Sequence, residues 1–134
     1  MSVINDIRDG LARNLATIDG LRTASELIDN PSPPVALVAI DSVEYDQAYQ
    51  NGLTLYNFTI SVIVGRVAER TAQRKLDLYM APTGDQSVKA GVESDRTLSG
   101  ACQDLRVVSS GSVGSIQVND QTYLAAEFTV TVYA

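Results

Sequence analysis

The stretch that decides the fold is residues 53–67, LTLYNFTISVIVGRV. Large apolar side chains alternate along it with small or polar ones; the apolar set is Tyr56, Phe58, Ile60, Val62 and Val64, and the other set is Asn57, Thr59, Ser61 and Gly65. A period of two residues is that of a β-strand with one buried face. Its length predicts a central strand, paired antiparallel with the strand that precedes it in the chain.

The chain before this strand predicts one helix and two extended segments. Apolar residues spaced three and four apart predict an N-terminal helix, capped by Ser2 and ended by Gly20; they are Val3, Ile4, Ile7, Leu11, Leu15 and Ile18. Gly10 lies inside this helix and should weaken it. An extended piece is expected at 21–27, followed by a rigid proline-rich connector at 29–34. The β-branched run at 35–40 then predicts a strand buried on both faces.

The chain after the central strand predicts two helices. The first covers 68–80, with Ala72, Leu76 and Tyr79 on its inner face, and Pro82 stops it. The segment 83–86, TGDQ, has the form of a capping box and predicts a short helix through Val88 and Val92.

Strands return in the last third. Segments 105–108 and 116–118 are strand candidates, separated by a Gly/Ser-rich loop or bulge at 109–115, and Asn119-Asp120 predicts the turn into the final strand. The resulting order is α-β-β-β-α-α-β-β-β. We therefore expect a single α+β domain spanning 1–134, with a two-layer arrangement of two to three helices on one face of a largely antiparallel sheet.

Composition excludes several classes of function. The 134 residues carry a net charge of −6, which disfavours a nucleic-acid-binding surface but suits a passage through which DNA slides without sticking. No apolar run approaches the roughly 20 residues of a membrane span, and the N-terminus lacks the features of a secretory signal, so we expect no membrane partner and synthesis in a cytoplasm. The single Cys102 is expected to be a buried, inert thiol.

The sequence contains few side chains in arrangements known to catalyse reactions. The chain has no histidine, so a Ser-His-Asp arrangement is impossible. The segment 65–71 resembles the opening of a phosphate-binding loop but lacks its second glycine and its lysine. Asp41, Glu44 and Asp46 are predicted near a hairpin turn, where their carboxylates suit Ca²⁺. Their spacing matches no known loop, however, and solvated turn charges are the simpler interpretation. We predict no enzyme activity, no metal and no cofactor.

The sequence also contains a cluster of basic residues, which is more distinctive than the features above. Arg66, Arg70 and Arg74 lie around the start of the second helix, beside Lys75. One interpretation is a solvated helix surface, with Arg74 reaching Asp77. The other is a docking patch for carboxylates of a neighbouring subunit, with the Asp41, Glu44 and Asp46 loop as the candidate partner.

Four stretches, in this order, resemble the tail terminator proteins of long-tailed bacteriophages, particularly those of actinobacterial hosts. They are IRDGLARNLATIDGLR (7–22), NPSPPVALVAI (30–40), RTAQRKLDLYMAPTGDQSVKAGVESD (70–95) and YLAAEFTVTVYA (123–134). The resemblance implies an α+β fold and a homo-hexameric ring, without cofactor or catalytic residues. It also implies that this ring caps the tail tube in the virion, contacts the major tail tube protein and the head-completion (stopper) protein, and lets DNA pass through its lumen.

Other functions stay open at this point. A neck or head-tail adaptor protein of the same particle shares the size and architecture. A small ligand-binding module would place a pocket between helices and sheet, and a carboxylate-dependent enzyme would use Asp41, Glu44 and Asp46. In the ring interpretation, segments 41–52 and 109–115 are expected to reach between subunits or toward the tube.

Overall fold

The computed structural model of the chain describes residues 3–18, 20–24, 34–45, 54–66, 70–118 and 120–134. The helices are α1 (Val3–Leu15), α2 (Arg70–Met80) and α3 (Val88–Val92), followed by a 3₁₀ turn at Leu98–Gly100. The strands are β1 (Arg22–Ala24), β2 (Val35–Glu44), β3 (Leu55–Arg66), β4 (Asp104–Val118) and β5 (Gln121–Tyr133).

The strands form one sheet in the order β1-β2-β3-β5-β4. The short β1 runs parallel to β2, and every other neighbouring pair is antiparallel. Strand β3 lies in the middle, where Ile60 is opposite Val38 of β2 and Phe128 of β5. The prediction of a central strand within 53–67 is confirmed for Leu55–Arg66.

Helices and sheet enclose one main core. The inner face of β3 contributes Phe58, Ile60, Val62 and Val64, and the helices contribute Ile7, Leu11, Leu15, Ala72, Leu76, Tyr79, Val88 and Val92, all buried. This packing of three helices on one face of a largely antiparallel sheet confirms the predicted two-layer α+β class. It also confirms the predicted inner face of α2.

The predicted element order is confirmed, with one refinement in β4. The segments 105–108 and 116–118 are the two ends of one irregular strand, and 109–115 joins them. The register with β5 shifts between Val107 and Ser109 and again between Gly111 and Gly114. A loop or a bulge was predicted for 109–115, and the structure has the bulge. Antiparallel pairing tolerates such extra residues while the ladder continues on either side.

Two local predictions were wrong. Strand β2 continues past its predicted end at 40 and includes Asp41 and Glu44, because β3 continues the ladder alongside them as far as the pair Glu44–Leu55. Helix α3 is capped by Ser87, whose Oγ accepts a hydrogen bond from the Ala90 N–H at 3.1 Å, and not by the segment 83–86. The predictions for Ser2, 25–33, Asp46, Asn51-Gly52, 67–69 and Asn119 lie outside the described residues.

Close packing of α1 explains its internal glycine. A Cβ at Gly10 would lie 2.8 Å from the Cβ of Leu98, so the helix can approach the 3₁₀ turn only with glycine at this position. Leu98 is 1% exposed and adopts φ +51°, in the left-handed region. Asn14 strengthens the same contact, because its Nδ2 donates to the carbonyls of Val92 at 2.8 Å and Asp95 at 3.0 Å.

Candidate assembly surface

The predicted charged residues lie at opposite ends of the sheet. Asp41 and Glu44 are exposed near the end of β2, and Glu44 is opposite Leu55 at the start of β3. Arg66 is exposed at the other end of β3, roughly 35 Å away for eleven residues of extended strand. The structure therefore does not bring the acidic and basic residues together within one subunit.

The basic cluster continues from β3 into α2, which begins at Arg70. Arg74 is exposed on this helix. Asp77 accepts a hydrogen bond from Gln73 Nε2 at 3.1 Å, and no ion pair joins Arg74 to Asp77 in the described part of the chain, so that predicted contact was wrong. Gln73 is one turn before Asp77 and supplies the nearer donor.

Glu44 belongs to a polar network on the outer face of the sheet. Asn57 Nδ2 donates to Glu44 Oε2 at 2.9 Å and to Ser42 Oγ at 3.0 Å. Thr131 Oγ1 donates in turn to Asn57 Oδ1 at 3.1 Å. The network ties β2, β3 and β5 together, a role for Glu44 that the sequence analysis missed. The signal was the polar side of the alternating pattern, which places Asn57 and the threonines on the same face.

A second charged cluster, also missed, lies where α3 meets β4. Lys89 Nζ is 2.6 Å from Glu93 Oε2, Arg96 is 3.9 Å from Glu93, and Arg96 Nε is 2.8 Å from Asp104 Oδ1. Burial alone would raise the pKa of Glu93, but hydrogen bonds from Lys89 and the Val107 N–H, with the charges of Lys89 and Arg96, lower it overall. The Arg96 hydrogen bond is the main cause of a lowered pKa at Asp104.

The edge strand β4 exposes apolar side chains beyond this cluster. Val108 is 50% exposed, Val113 48% and Ile116 38%. At the opposite edge, β1 pairs only with the first three residues of β2, so positions 38–44 have no second strand among the described residues. Exposed backbone edges of this kind are the usual sites of strand addition by another chain.

The remaining sequence predictions concern metals, membranes and pockets. The described residues hold no group of three or more side chains suited to a metal ion, although this does not test Asp46. No described helix is long and apolar enough to cross a membrane.

The cleft between α2 and β4, lined by Met80, Lys89 and Phe128 among others, measures about 250 Å³. Cys102 is buried as predicted, and burial, aided by Asp104 and Asp95, raises the pKa of its thiol to about 11.

Solved structures include chains that resemble this one. No family model matches the chain, and no curated protein matches it. A chain from the solved structure "Virion of native gene transfer agent (GTA) particle" is similar over 99% of this chain and 92% of that chain, with 16% sequence identity and a TM-score of 0.36. At that score nothing about function follows from the likeness.

Proposed function

We propose that this chain is a structural virion protein, a tail-terminator-like subunit that acts by self-association and not by catalysis. Six copies form a ring that caps the tail tube, ends its polymerisation and offers the surface that joins tail to head. The sequence resemblance of the four stretches supports this role. The observation that carries the self-association is the separation of Arg66 from Asp41 and Glu44 at opposite ends of the sheet.

Charges separated in this way favour head-to-tail contact. In a head-to-tail contact, one surface of a subunit binds a different surface of the next subunit. Repetition of this contact gives a ring when the rotation between neighbouring subunits returns to the first one. Arginine suits the basic side, because its planar guanidinium pairs with a carboxylate through two parallel hydrogen bonds. In the ring, Arg66, Arg70 and Arg74 of one copy face Asp41, Glu44 and Asp46 of the next.

The proposed partners follow from the same assembly. One face of the ring contacts the major tail tube protein, and the other contacts the head-completion protein. DNA passes through the lumen without specific binding, in keeping with the net charge of −6. The protein is located at the head-proximal end of the tail and assembles in the host cytoplasm, without cofactor, metal or membrane.

The charge pairing is tested by reversal. Arg66→Glu/Arg74→Glu should leave the subunit folded but prevent ring formation, measured by native mass and by electron microscopy of protein mixed with tail tubes. Lys75→Glu is the matched control, since Lys75 is an exposed cation on the same helix. Combining the double variant with Asp41→Arg, which leaves the hydrogen bond between Asn57 and Glu44 in place, should restore part of the assembly. Rings that form unchanged in the double variant would refute this interface.

Gene removal separates the terminator from the adaptor alternative. Loss of a terminator should give tails of uncontrolled length that fail to join heads. Loss of a neck adaptor should give tails of normal length that fail to join. Normal virions without the gene would refute both roles.

A further inference from the structure

The edge strand β4 is covered by side chains at one residue. Val107 donates its N–H to Glu93 Oε2 at 2.9 Å, and its carbonyl accepts from Lys89 Nζ at 3.3 Å. Lys89 and Glu93 also bind each other at 2.6 Å. A donor and an acceptor thus meet the two backbone groups of Val107, as the backbone of a neighbouring strand would.

The protection ends directly after Val107. The register of β4 shifts between Val107 and Ser109, and the described side chains at 109, 110 and 113–117 are exposed. Bulges and cover by a neighbouring helix are two devices by which proteins prevent pairing at a sheet edge. Here both occur at the same point, so the edge is divided into a covered part and an open part.

The Lys89–Glu93 pair differs from an ordinary surface ion pair. The Glu93 side chain is only 17% exposed, and Arg96, itself bound to Asp104, lies on its other side. Most exposed ion pairs contribute little because both side chains remain mobile. The backbone hydrogen bond and the second cation fix Glu93 in one position.

We propose that the Lys89–Glu93 pair is an edge cap that closes β4 at Val107 and confines strand addition by a second copy of this chain to residues 109–117. This inference rests on the self-association part of the proposed function. Without the cap, the open segment would extend toward the start of β4 and alternative registers would become available to an incoming strand.

A second copy is the occupant that the topology favours. At the opposite side of the same sheet, residues 38–44 of β2 have no second strand among the described residues, which omit 25–33. Successive antiparallel pairings of β2 with β3, β3 with β5 and β5 with β4 make β2 and β4 run in opposite directions. Copies that keep the same strand direction would therefore meet in an antiparallel pair. When one edge of a copy binds a different edge of the next copy, the same contact can be repeated and gives an open assembly unless the rotation closes a ring.

The test removes the cap and keeps the fold. In Lys89→Met/Glu93→Ala, at concentrations where the variant is monomeric, amide exchange at Val107 should accelerate at least about tenfold. Sedimentation should show greater concentration-dependent association, with an unchanged circular dichroism spectrum. Glu93→Gln retains an acceptor for Val107 and should resemble the unaltered chain. If the double variant does not fold, Lys89→Met alone still tests the carbonyl side of the cap. Unchanged exchange and association in folded variants would overturn the proposal.

The occupant is identified in the associated variant by hydrogen exchange. New protection at residues 38–44 and around Val107 would support pairing with a second copy, whereas association without protection at 38–44 would overturn that choice. The ring is judged separately on the unaltered chain. If that chain forms rings and the variants do not change, the cap is wrong and the proposed function stands. If the variants associate but no ring ever forms, the cap stands and the ring is wrong.

Discussion

The two faces of the sheet are built from alternate residues of the same strands, yet they differ in chemistry. On the inner face, Phe58, Ile60 and Val62 are completely buried beneath the helices. On the outer face, their neighbours Asn57, Thr59 and Ser61 are half-buried. The inner face excludes water and holds the layers together, and the outer face keeps polar groups that can exchange water for another molecule.

The outer face is itself divided along the strands. At one end, Asn57 and Thr131 form the cross-strand network with Glu44. At the other end, a small apolar cluster is buried separately from the main core; it consists of Val35, Ile63, Tyr123 and Ala125. The alternating pattern therefore determines the inner face along its whole length, whereas the outer face changes from polar to apolar along the strands.

The largest expected effect tests the inner face against the outer face in one strand. Phe58→Ala should lower the free energy of unfolding by about 3–5 kcal/mol, because it leaves a cavity in a packed core. Thr59→Ala, its neighbour on the outer face, should cost about 0.5 kcal/mol or less. Denaturant unfolding of both variants measures the difference. Similar losses of unfolding free energy in the two variants would show that the two faces of the sheet contribute equally to stability.

A smaller effect is expected where α1 packs on the inner layer. Gly10→Ala should destabilise the protein by about 1–3 kcal/mol, although alanine favours helix, because its Cβ would overlap the Leu98 Cβ. Gly91→Ala is the matched comparison: its Cβ would lie 2.9 Å from Cδ1 of Ile18, the end of a side chain, whereas the Leu98 Cβ is fixed directly to the backbone. Thermal unfolding of the pair should rank Gly10→Ala as clearly worse. A stabilised Gly10→Ala would show that the contact adjusts freely.

The smallest expected effect concerns acid. The pKa values of Glu93, Asp95 and Asp104 are lowered in the folded protein. Their contribution to stability is therefore complete above the ordinary carboxyl pKa, near 4, and is lost as pH falls through the lower folded values. Unfolding free energies measured from pH 7 to pH 2 should decline below about pH 4. Glu93→Gln should make that decline shallower, and an identical decline would show that Glu93 does not contribute.

Periodicity predicted the features that depend on neighbours in sequence. The alternation in 53–67 was enough to predict the central strand, because burial of one face repeats every two residues. The inner residues of α2 followed from the helical period in the same way. The predicted turn before the final strand agrees with the pairing of Val118 with Gln121 and with the φ of +66° at Asp120, whereas Asn119 lies outside the described residues.

The site depends on contacts between distant residues, which periodicity does not reveal. Glu44 accepts a hydrogen bond from Asn57, a residue thirteen positions later on the neighbouring strand. The hydrogen bond from Val107 to Glu93 joins residues fourteen apart, and one partner is backbone, which has no sequence signature. Gly10 was interpreted as a weakness of α1, whereas its role depends on Leu98, a residue that adopts an unfavourable left-handed conformation. The pairing of the arginines with carboxylates of another copy stays a prediction.

Cys102 has a practical consequence. Its thiol is the only one in the chain, lies 7% exposed and, with a pKa near 11, remains protonated at neutral pH. Thiolate is the reactive form, so maleimides and disulfide reagents should leave the native protein almost unlabelled. A cysteine introduced at Ser115 or Ser42 would then be the principal reactive position, and a crosslink between two such copies would report their contact directly.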